Sequence, residues 1–499
     1  MRITNSMMNN NTKNNININK LNEDRINTMI ASGQKITRPS DDPIIAIRAL
    51  RLNSNISEVN QYYDKNIPDA DAWLEITGTA LDQTNEVLTE IKKSLTTGAS
   101  DDNEAEDRMN ILKDLTALRD QIYSAGNADY AGRTVFTGYR TGETLTFTED
   151  TTNLHTITEL FNADDVECIT YISGGINVNK GDLANANTEQ DIKSNNVYRI
   201  RLAYDNLTNP QVDQDGTALP KTIAIDGTPM PAYTVNTVSL TGDPAIDDAY
   251  YTTIGEDEVR LIADTGELLL GENVRKAIQG TTGTVSFEYA KEDFAKNDLR
   301  PEHYFTCTDK DEVEYNSPSF ENKSISYEIS FNQSIKINTN ANEVFTHDIG
   351  RDVDELLAAT QAVVDCDEKI TTLEEMQSDS QYSDAEQEKI TEMLAAATKE
   401  RDLLKDKMQK MFSGALTSFD GYSKDTNLAL AGVGSMQARL ELTKERVKEQ
   451  LSSFKELADS NININLTDAG IELKAASLAL EAAQLAASKI AQQTLLNYL

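Results

Sequence analysis

A heptad repeat in residues 45–95 is the feature that most constrains the fold of this chain. Apolar residues recur at alternating spacings of three and four from Ile45 to Leu95, about seven heptads in one register. A stripe of this length is buried only when another long helix packs along it, so the repeat predicts a coiled coil. The expected seam residues in this half are Leu52, Ile56, Val59, Tyr63, Trp73, Leu81, Leu88 and Ile91. Pro68 falls inside the register and predicts a kink or a restart, because proline removes a helical hydrogen bond.

The C-terminal part of the chain supplies a second long seam. Leu440, Val447, Leu451 and Phe454 stand in heptad register, and Ser383 and Glu386 form a capping box that opens a helix before them. Helices at both ends, with a different segment between them, favour antiparallel pairing of the two ends. The fold class is therefore predicted as mainly α, with an antiparallel long-helix coiled-coil core and a β-rich insertion.

The outermost segments are weaker helices than the seams. Residues 9–27 are rich in asparagine, a poor helix former, so residues 1–31 and 461–499 are expected to order when they dock onto neighbouring subunits. Ordering them in a monomer costs about 1–2 kcal/mol per residue in backbone entropy, with little burial to offset it. The expected assembly residues are Ile3, Ile18, Leu21, Ile471, Leu478, Leu485, Leu495, Leu496, Tyr498 and Leu499.

The middle of the chain, residues 141–347, has a different pattern. Runs of period two replace the heptads, most clearly at residues 325–331, and Asp264-Thr265-Gly266 predicts a turn between two such runs. We expect an antiparallel, largely β outer domain here. The domain prediction is terminal tails at 1–42 with 459–499, a helical core at 43–140 with 348–458, and the β-rich domain at 141–347.

Composition and short motifs limit the function classes. A net charge of −36 disfavours nucleic-acid binding and anionic membrane surfaces. No stretch approaches the ~20 apolar residues of a membrane span, no signal-peptide pattern opens the chain, and the three scattered cysteines argue against an oxidising compartment. Three isolated histidines without an HExxH pattern predict neither a metal site nor catalysis. We expect no enzymatic activity and no cofactor.

Several short motifs along the chain resemble a known family. Met1-Arg2-Ile3-Thr4 is followed by Ser40-Asp41-Asp42-Pro43 at the head of the long heptad helix, as in flagellins and hook-associated proteins. The run Gly132-Arg133-Thr134-Val135-Phe136-Thr137-Gly138-Tyr139 and the ending Leu495-Leu496-Asn497-Tyr498-Leu499 favour the latter. The chain thus resembles the flagellin-like FlgL family of flagellar hook-associated proteins over both terminal zones. A smaller match is Arg300-Pro301-Glu302-His303-Tyr304-Phe305.

The resemblance implies a structural adaptor that joins the flagellar hook to the filament. It implies export without a cleaved signal through the flagellar type III apparatus, a cytoplasmic export chaperone, and an extracellular position at the hook–filament junction. The implied partners are the first hook-associated protein, flagellin and further copies of the chain in a ring, with neither nucleic acid nor membrane insertion. Two alternatives stay open: a filament flagellin, and a secreted adhesin or enzyme carried in residues 141–347.

Overall fold

The structure is a computed structural model that describes residues 5–100, 105–173, 178, 183, 188–240, 249, 250, 252–315 and 324–496. Long helices lie at both ends of the chain and short strands in the middle, which confirms the predicted fold class. The helices are α1 Asn5–Ser32, α2 Pro43–Gln61, α3 Ile67–Gly98, α4 Ala105–Gly126, α5 Glu272–Gly280, α6 His347–Ser378, α7 Asp384–Ile462 and α8 Leu466–Leu496.

The predicted helix ends follow from local chemistry. The Asp42 carboxylate accepts hydrogen bonds from the backbone N–H groups of Ile44 and Ile45, at 2.9 and 3.2 Å, and Pro43 occupies the first helical position of α2. At the start of α7, the Glu386 carboxylate accepts from the backbone N–H of Ser383 at 2.8 Å, as the predicted capping box requires.

Pro68 produces a local widening of the helix. Residues Tyr62–Asn66 form a π-helical turn between α2 and α3, and the N–H of Ile67 donates to the carbonyl of Tyr62, five residues earlier. A proline ring clashes with the carbonyl four residues before it, and a π turn moves that carbonyl aside. The helical path therefore continues past Pro68.

The middle of the chain forms two larger sheets. Its strands and those that flank it are β1 Asp129–Tyr130, β2 Arg133–Thr134, β3 His155–Phe161, β4 Glu167–Ser173, β5 Lys193–Arg201, β6 Ala224–Ile225, β7 Thr228–Pro229, β8 Thr234–Val238, β9 Glu258–Ile262, β10 Glu267–Leu270, β11 Val285–Lys291, β12 Thr306–Thr308, β13 Glu314–Tyr315, β14 Ser326–Ser330 and β15 Gln333–Lys336. One sheet has the order β4-β5-β10-β9-β8, and the other β13-β12-β3-β11-β6-β7.

Strand pairing is antiparallel, as predicted, except between β8 and β9, which run parallel. The turn predicted at Asp264-Thr265-Gly266 joins β9 to β10, and Gly266 has a φ of +62° that favours glycine. The short helix α5 was not predicted within the β-rich zone. It buries Val274 and Ile278, four residues apart, in an apolar cluster that takes side chains from both sheets.

The chain divides into two compact units. The first comprises residues 1–70, 327–335 and 438–499, and the second residues 71–326 and 336–437. Helices α3 and α7 contribute residues to both. In the second unit α3 and α7 pair antiparallel, since Lys92 contacts Asp420 and Asn85 contacts Asn427, at 3.1 and 3.2 Å.

Candidate assembly surface on the terminal helices

In the first unit, the end of α1 lies beside the start of α8. Helix α1 ends at Ser32, and Gly33 follows with a φ of +71°. The N–H of Lys35 donates to the carbonyl of Ile462 at 2.7 Å, and the N–H of Ile464 donates to the carbonyl of Gly33 at 3.0 Å. These two hydrogen bonds tie the break after α1 to the break before α8.

Helices α1 and α8 then pack against each other with few buried side chains. Among their described side chains only Ile26, Ala469 and Ala476 are buried. The side-chain amide of Asn19 donates to the carbonyl of Ala479 at 3.3 Å. Small and polar contact residues bury little apolar surface, so this pairing contributes little stability by itself.

The predicted assembly residues of α8 form an exposed ridge. Ile471, Leu478 and Leu485 are 65%, 58% and 65% exposed, and each lies seven residues from the next. On α1, Ile18 and Leu21 are 62% and 69% exposed. Heptad spacing of exposed branched side chains is typical of a coiled-coil seam whose partner helix belongs to another molecule.

The remaining predicted assembly residues lie at the chain ends. Leu495 and Leu496 are within α8, although their side chains are not among the described ones. Ile3, Tyr498 and Leu499 lie outside the described residues. Their predicted role in assembly stays a prediction.

Sequence reasoning overlooked that α8 carries two apolar faces. Leu473, Ala476 and Leu480 lie on the face that is partly or fully buried, while the ridge lies on the other. The sequence contained the pattern of both faces, because the ridge residues and the residues of the second face each have helical spacing. A second overlooked set is on α2, where Ile44, Ile47 and Leu50 are exposed beside the buried Ala46 and Ala49.

The predicted core seam is mostly buried. The buried members are Val59, Trp73, Leu81, Leu88, Ile91, Leu440, Val447 and Leu451, whereas Leu52, Ile56, Tyr63 and Phe454 are partly buried. At the π turn it is Tyr62, the neighbour of Tyr63, that is buried; its ring stands edge-on to Phe331 at 5.7 Å. The extra residue of the turn shifts which tyrosine faces inward.

The hydroxyl groups of polar residues within the seam form hydrogen bonds inside their own helix. The hydroxyls of Thr77 and Thr84 are buried and donate to the carbonyls of Trp73 and Ala80, both at 2.8 Å. A buried hydroxyl that makes a hydrogen bond does not carry the desolvation cost of a buried hydroxyl without a partner. Threonine at these heptad positions therefore does not interrupt the seam.

The run Gly132–Tyr139 forms the turn from the helices into the β-rich region. Ala131 and Gly132 have φ values of +52° and +76° in the two-residue loop between β1 and β2. The Arg133 guanidinium then lies 5.2 Å above the Trp73 ring, a cation–π contact, and Phe136 is buried 4.8 Å from Phe345. Trp73 thus supports this turn as well as the seam.

The segment Arg300–Phe305 contacts Thr144, which follows the turn, and Phe345, which packs on it. The ring nitrogen Nε2 of His303 lies 2.9 Å from the carbonyl of Thr144, and the Tyr304 hydroxyl donates to the carbonyl of Phe345 at 2.6 Å. Burial lowers the pKa of His303 to about 4, so this histidine is neutral at pH 7. Its role in the structure is packing and hydrogen bonding.

The histidines that could have been catalytic or metal-binding residues contact other side chains of the chain. His155 lies 3.5 Å from Glu302, and His347 contacts the Tyr204 hydroxyl at 2.9 Å. In the part of the chain that the structure describes, no group of three or more His, Cys, Asp or Glu side chains could hold a metal ion. No helix among the described residues is long and apolar enough to cross a membrane.

Known proteins resemble part of the chain. Residues 3–141 match the family described as bacterial flagellin N-terminal helical region. The flagellar hook-associated protein 3 of Escherichia coli K12 is 29% identical over 122 residues, which cover 24% of this chain and 38% of that protein. The protein of the same name from Salmonella typhimurium LT2 is 27% identical over 132 residues, covering 26% and 41%. The chain therefore spans about two fifths of the length of these curated relatives.

Solved structures resemble the chain only distantly. A flagellar hook-associated protein-3 from Legionella pneumophila has 10% identity and a TM-score of 0.29, covering 82% of this chain and 97% of that one. Xanthomonas campestris FlgL has 11% identity and a TM-score of 0.24, covering 80% and 99%. The relationship rests on the sequence match, which includes the turn at Gly132–Tyr139. Residues 3–141 match the bacterial flagellin N-terminal helical region, and the resemblance to flagellin-like hook-associated proteins predicted from the sequence is confirmed.

Proposed function

We propose that this chain is a structural adaptor of the bacterial flagellum that joins the hook to the filament through its terminal helices. The observation that carries the proposal is the ridge of Ile471, Leu478 and Leu485 on α8, which is exposed and in heptad register. The names of the relatives, flagellar hook-associated protein 3, support a structural role at the flagellar hook. A structural role also favours a protein without enzymatic activity.

The physical basis is burial on assembly. Covering an exposed leucine or isoleucine contributes about 1.5–3 kcal/mol, so five such side chains contribute on the order of 10 kcal/mol before ordering costs. The thin contact between α1 and α8 supplies little of this in the monomer. We propose that the tails, residues 1–42 and 459–499, become rigid only when neighbouring subunits cover the ridge.

The export route, the chaperone and the neighbouring proteins that we propose are those implied by the resemblance to flagellin-like hook-associated proteins. The chain is exported uncleaved through the flagellar type III apparatus, held beforehand by a cytoplasmic chaperone, and forms a ring between the first hook-associated protein and flagellin. Residues 43–140 and 348–458 form the core that holds the subunit together. Residues 141–347 form the outer domain.

Substitution of Leu478 and Leu485 by aspartate tests the proposal. We expect the double variant to keep the thermal unfolding midpoint of the core and to lose filament attachment. Cells should then complete hooks and release flagellin monomers into the medium. Ser488→Asp places the same charge at an exposed polar position of α8 and is the matched control.

Normal filaments on cells that carry only the double variant would contradict the proposal. The abundance of the chain in sheared flagella separates a junction protein from a filament flagellin. A junction protein is a minor component of that preparation, whereas a flagellin dominates it.

A further inference from the structure

A groove in the second unit is unrelated to the terminal helices. It has a volume of about 720 Å³ and is lined by β4, β5, α6 and α7. This size lies within the range of about 300–1,000 Å³ that is typical of small-molecule sites. Its walls combine hydroxyl and amide side chains, including Thr170, Ser194, Asn196 and Ser418, with apolar ones such as Leu403.

Most charges in the groove neutralise one another. Arg199 pairs with Glu167 and Glu355, at 3.1 and 2.9 Å, and also with the buried Glu267. Arg201 pairs with Asp352 at 2.7 Å. These guanidinium groups are saturated by carboxylates and have little capacity left for a ligand.

The exposed lysine of the groove is also engaged. Lys410 pairs with Asp406 at 2.7 Å, across one turn of α7. The groove is therefore balanced in charge at each of these positions.

Lys407 differs from these paired charged residues. Its ammonium lies 4.8 Å from the ring centre of Tyr171, and within the described residues it makes neither a hydrogen bond nor an ion pair. Tyr171 is held in place by stacking on Tyr250, with ring centres 3.9 Å apart. A lysine ammonium has three donors, so these donors are available to a ligand in the groove.

We propose that this groove binds a small sugar acid, whose carboxylate accepts hydrogen bonds from Lys407. A carboxylate supplies the acceptor that the ammonium lacks. Glu167, Asp352, Glu355 and Asp406 surround the site, so a singly charged anion is repelled less than a phosphate dianion. The hydroxyl and amide walls match a ligand that carries several hydroxyl groups.

Burial lowers the pKa of Lys407, an effect that Arg199 reinforces and that Glu267 and Glu355 oppose. A bound carboxylate stabilises the protonated amine and raises its pKa. Binding should therefore weaken as the pH rises through the pKa of Lys407.

The test compares glucuronate, glucose and glucosamine, which share a sugar ring and differ in charge. Saturation-transfer NMR and calorimetry on the full chain should show glucuronate binding at least about tenfold tighter than glucose, as a charge-assisted hydrogen bond provides. Lys407→Met keeps the length of the side chain and should remove that preference. Lys407→Arg keeps the charge and should retain it.

Lys405→Met is the matched control, because Lys405 is two residues away on α7 and does not line the groove. Thermal midpoints of all variants report whether they fold. No glucuronate binding to the wild-type chain, equal binding of glucose or glucosamine, or full binding by a folded Lys407→Met variant would overturn the proposal. The aspartate variants of α8 should bind glucuronate normally, which separates this site from the assembly surface.

Discussion

The Nζ of Lys92 lies 3.1 Å from Oδ1 of Asp420, one heptad along from the contact between Asn85 and Asn427. Both helices advance by seven residues between these two contacts, in opposite directions. The polar contacts therefore repeat with the period of the buried residues, as the flanks of an antiparallel coiled coil do. They place α3 and α7 antiparallel and side by side over these residues.

Removing the charge of Asp420 should have a small effect. The Asp420 side chain is 71% exposed, and exposed ion pairs contribute about 0.2–1 kcal/mol. We expect Asp420→Asn to lower the free energy of unfolding by less than about 1 kcal/mol. The difference should disappear in about 1 M salt, since the charges are then screened. Urea unfolding at low and high salt measures it, and a large, salt-independent loss would contradict the assignment as a surface pair.

Substitution of Leu88 should unfold the helical core. Leu88 is fully buried, and Leu88→Asp places an unpaired charge in the seam, which costs about 3–5 kcal/mol or more. Circular dichroism at rising temperature should show a clearly lower midpoint. Thr89→Asp, at the neighbouring exposed position, is the control and should change the midpoint little. An unchanged midpoint for Leu88→Asp would refute the seam.

Two glycines with positive φ should differ in their tolerance of alanine. A Cβ at Gly266 would lie 1.9 Å from the carbonyl oxygen of Tyr204, whereas a Cβ at Gly132 would meet no atom within 4 Å. Gly132→Ala should cost about 1 kcal/mol from backbone strain alone. Gly266→Ala adds a backbone clash in the turn between β9 and β10 and should cost several times more. Equal losses in urea unfolding would contradict this contrast.

The pH dependence of stability should carry a contribution from Glu159. Burial raises the pKa of this carboxyl from 4.5 to about 7, although hydrogen bonds from Tyr289 and from the N–H of Ala203 oppose the rise. The folded state then holds a proton that the unfolded state has released between about pH 4.5 and 7. Stability from this group is therefore complete below pH 4.5 and falls as the pH rises, by about 3 kcal/mol in total.

Glu159→Gln should remove this dependence, because glutamine does not titrate. The variant should gain stability relative to the wild type as the pH increases from 5 to 8, measured by urea unfolding at each pH. A constant difference across that range would show that Glu159 does not titrate there.

Deletion of residues 490–499 should separate assembly from folding. The deletion removes the last turns of α8 and leaves the seam residues of α3 and α7 intact. We expect the midpoint of the core to be unchanged and filament attachment to be lost. Attachment at normal levels would count against ordering of the tails on assembly.

Much of the helical structure follows from the sequence alone, because its signals are local. Asp42 and Pro43 begin α2, Ser383 and Glu386 begin α7, and the heptad spacing of Leu81, Leu88 and Leu440 sets which face is buried. Strand β14, within the run at residues 325–331, was likewise predicted from alternation. Each of these features depends on residues within a few positions of one another.

The tertiary structure decided the features that depend on distant residues. The parallel pairing of β8 with β9, the packing of α5 on both sheets and the position of Arg133 above Trp73 join segments without a local signal. The same holds for α8, where two apolar faces have equal helical spacing and only the pairing with α1 selects which one is covered. Periodicity in the sequence determines that a face is apolar, but the partner that buries it is set by contacts across the whole chain.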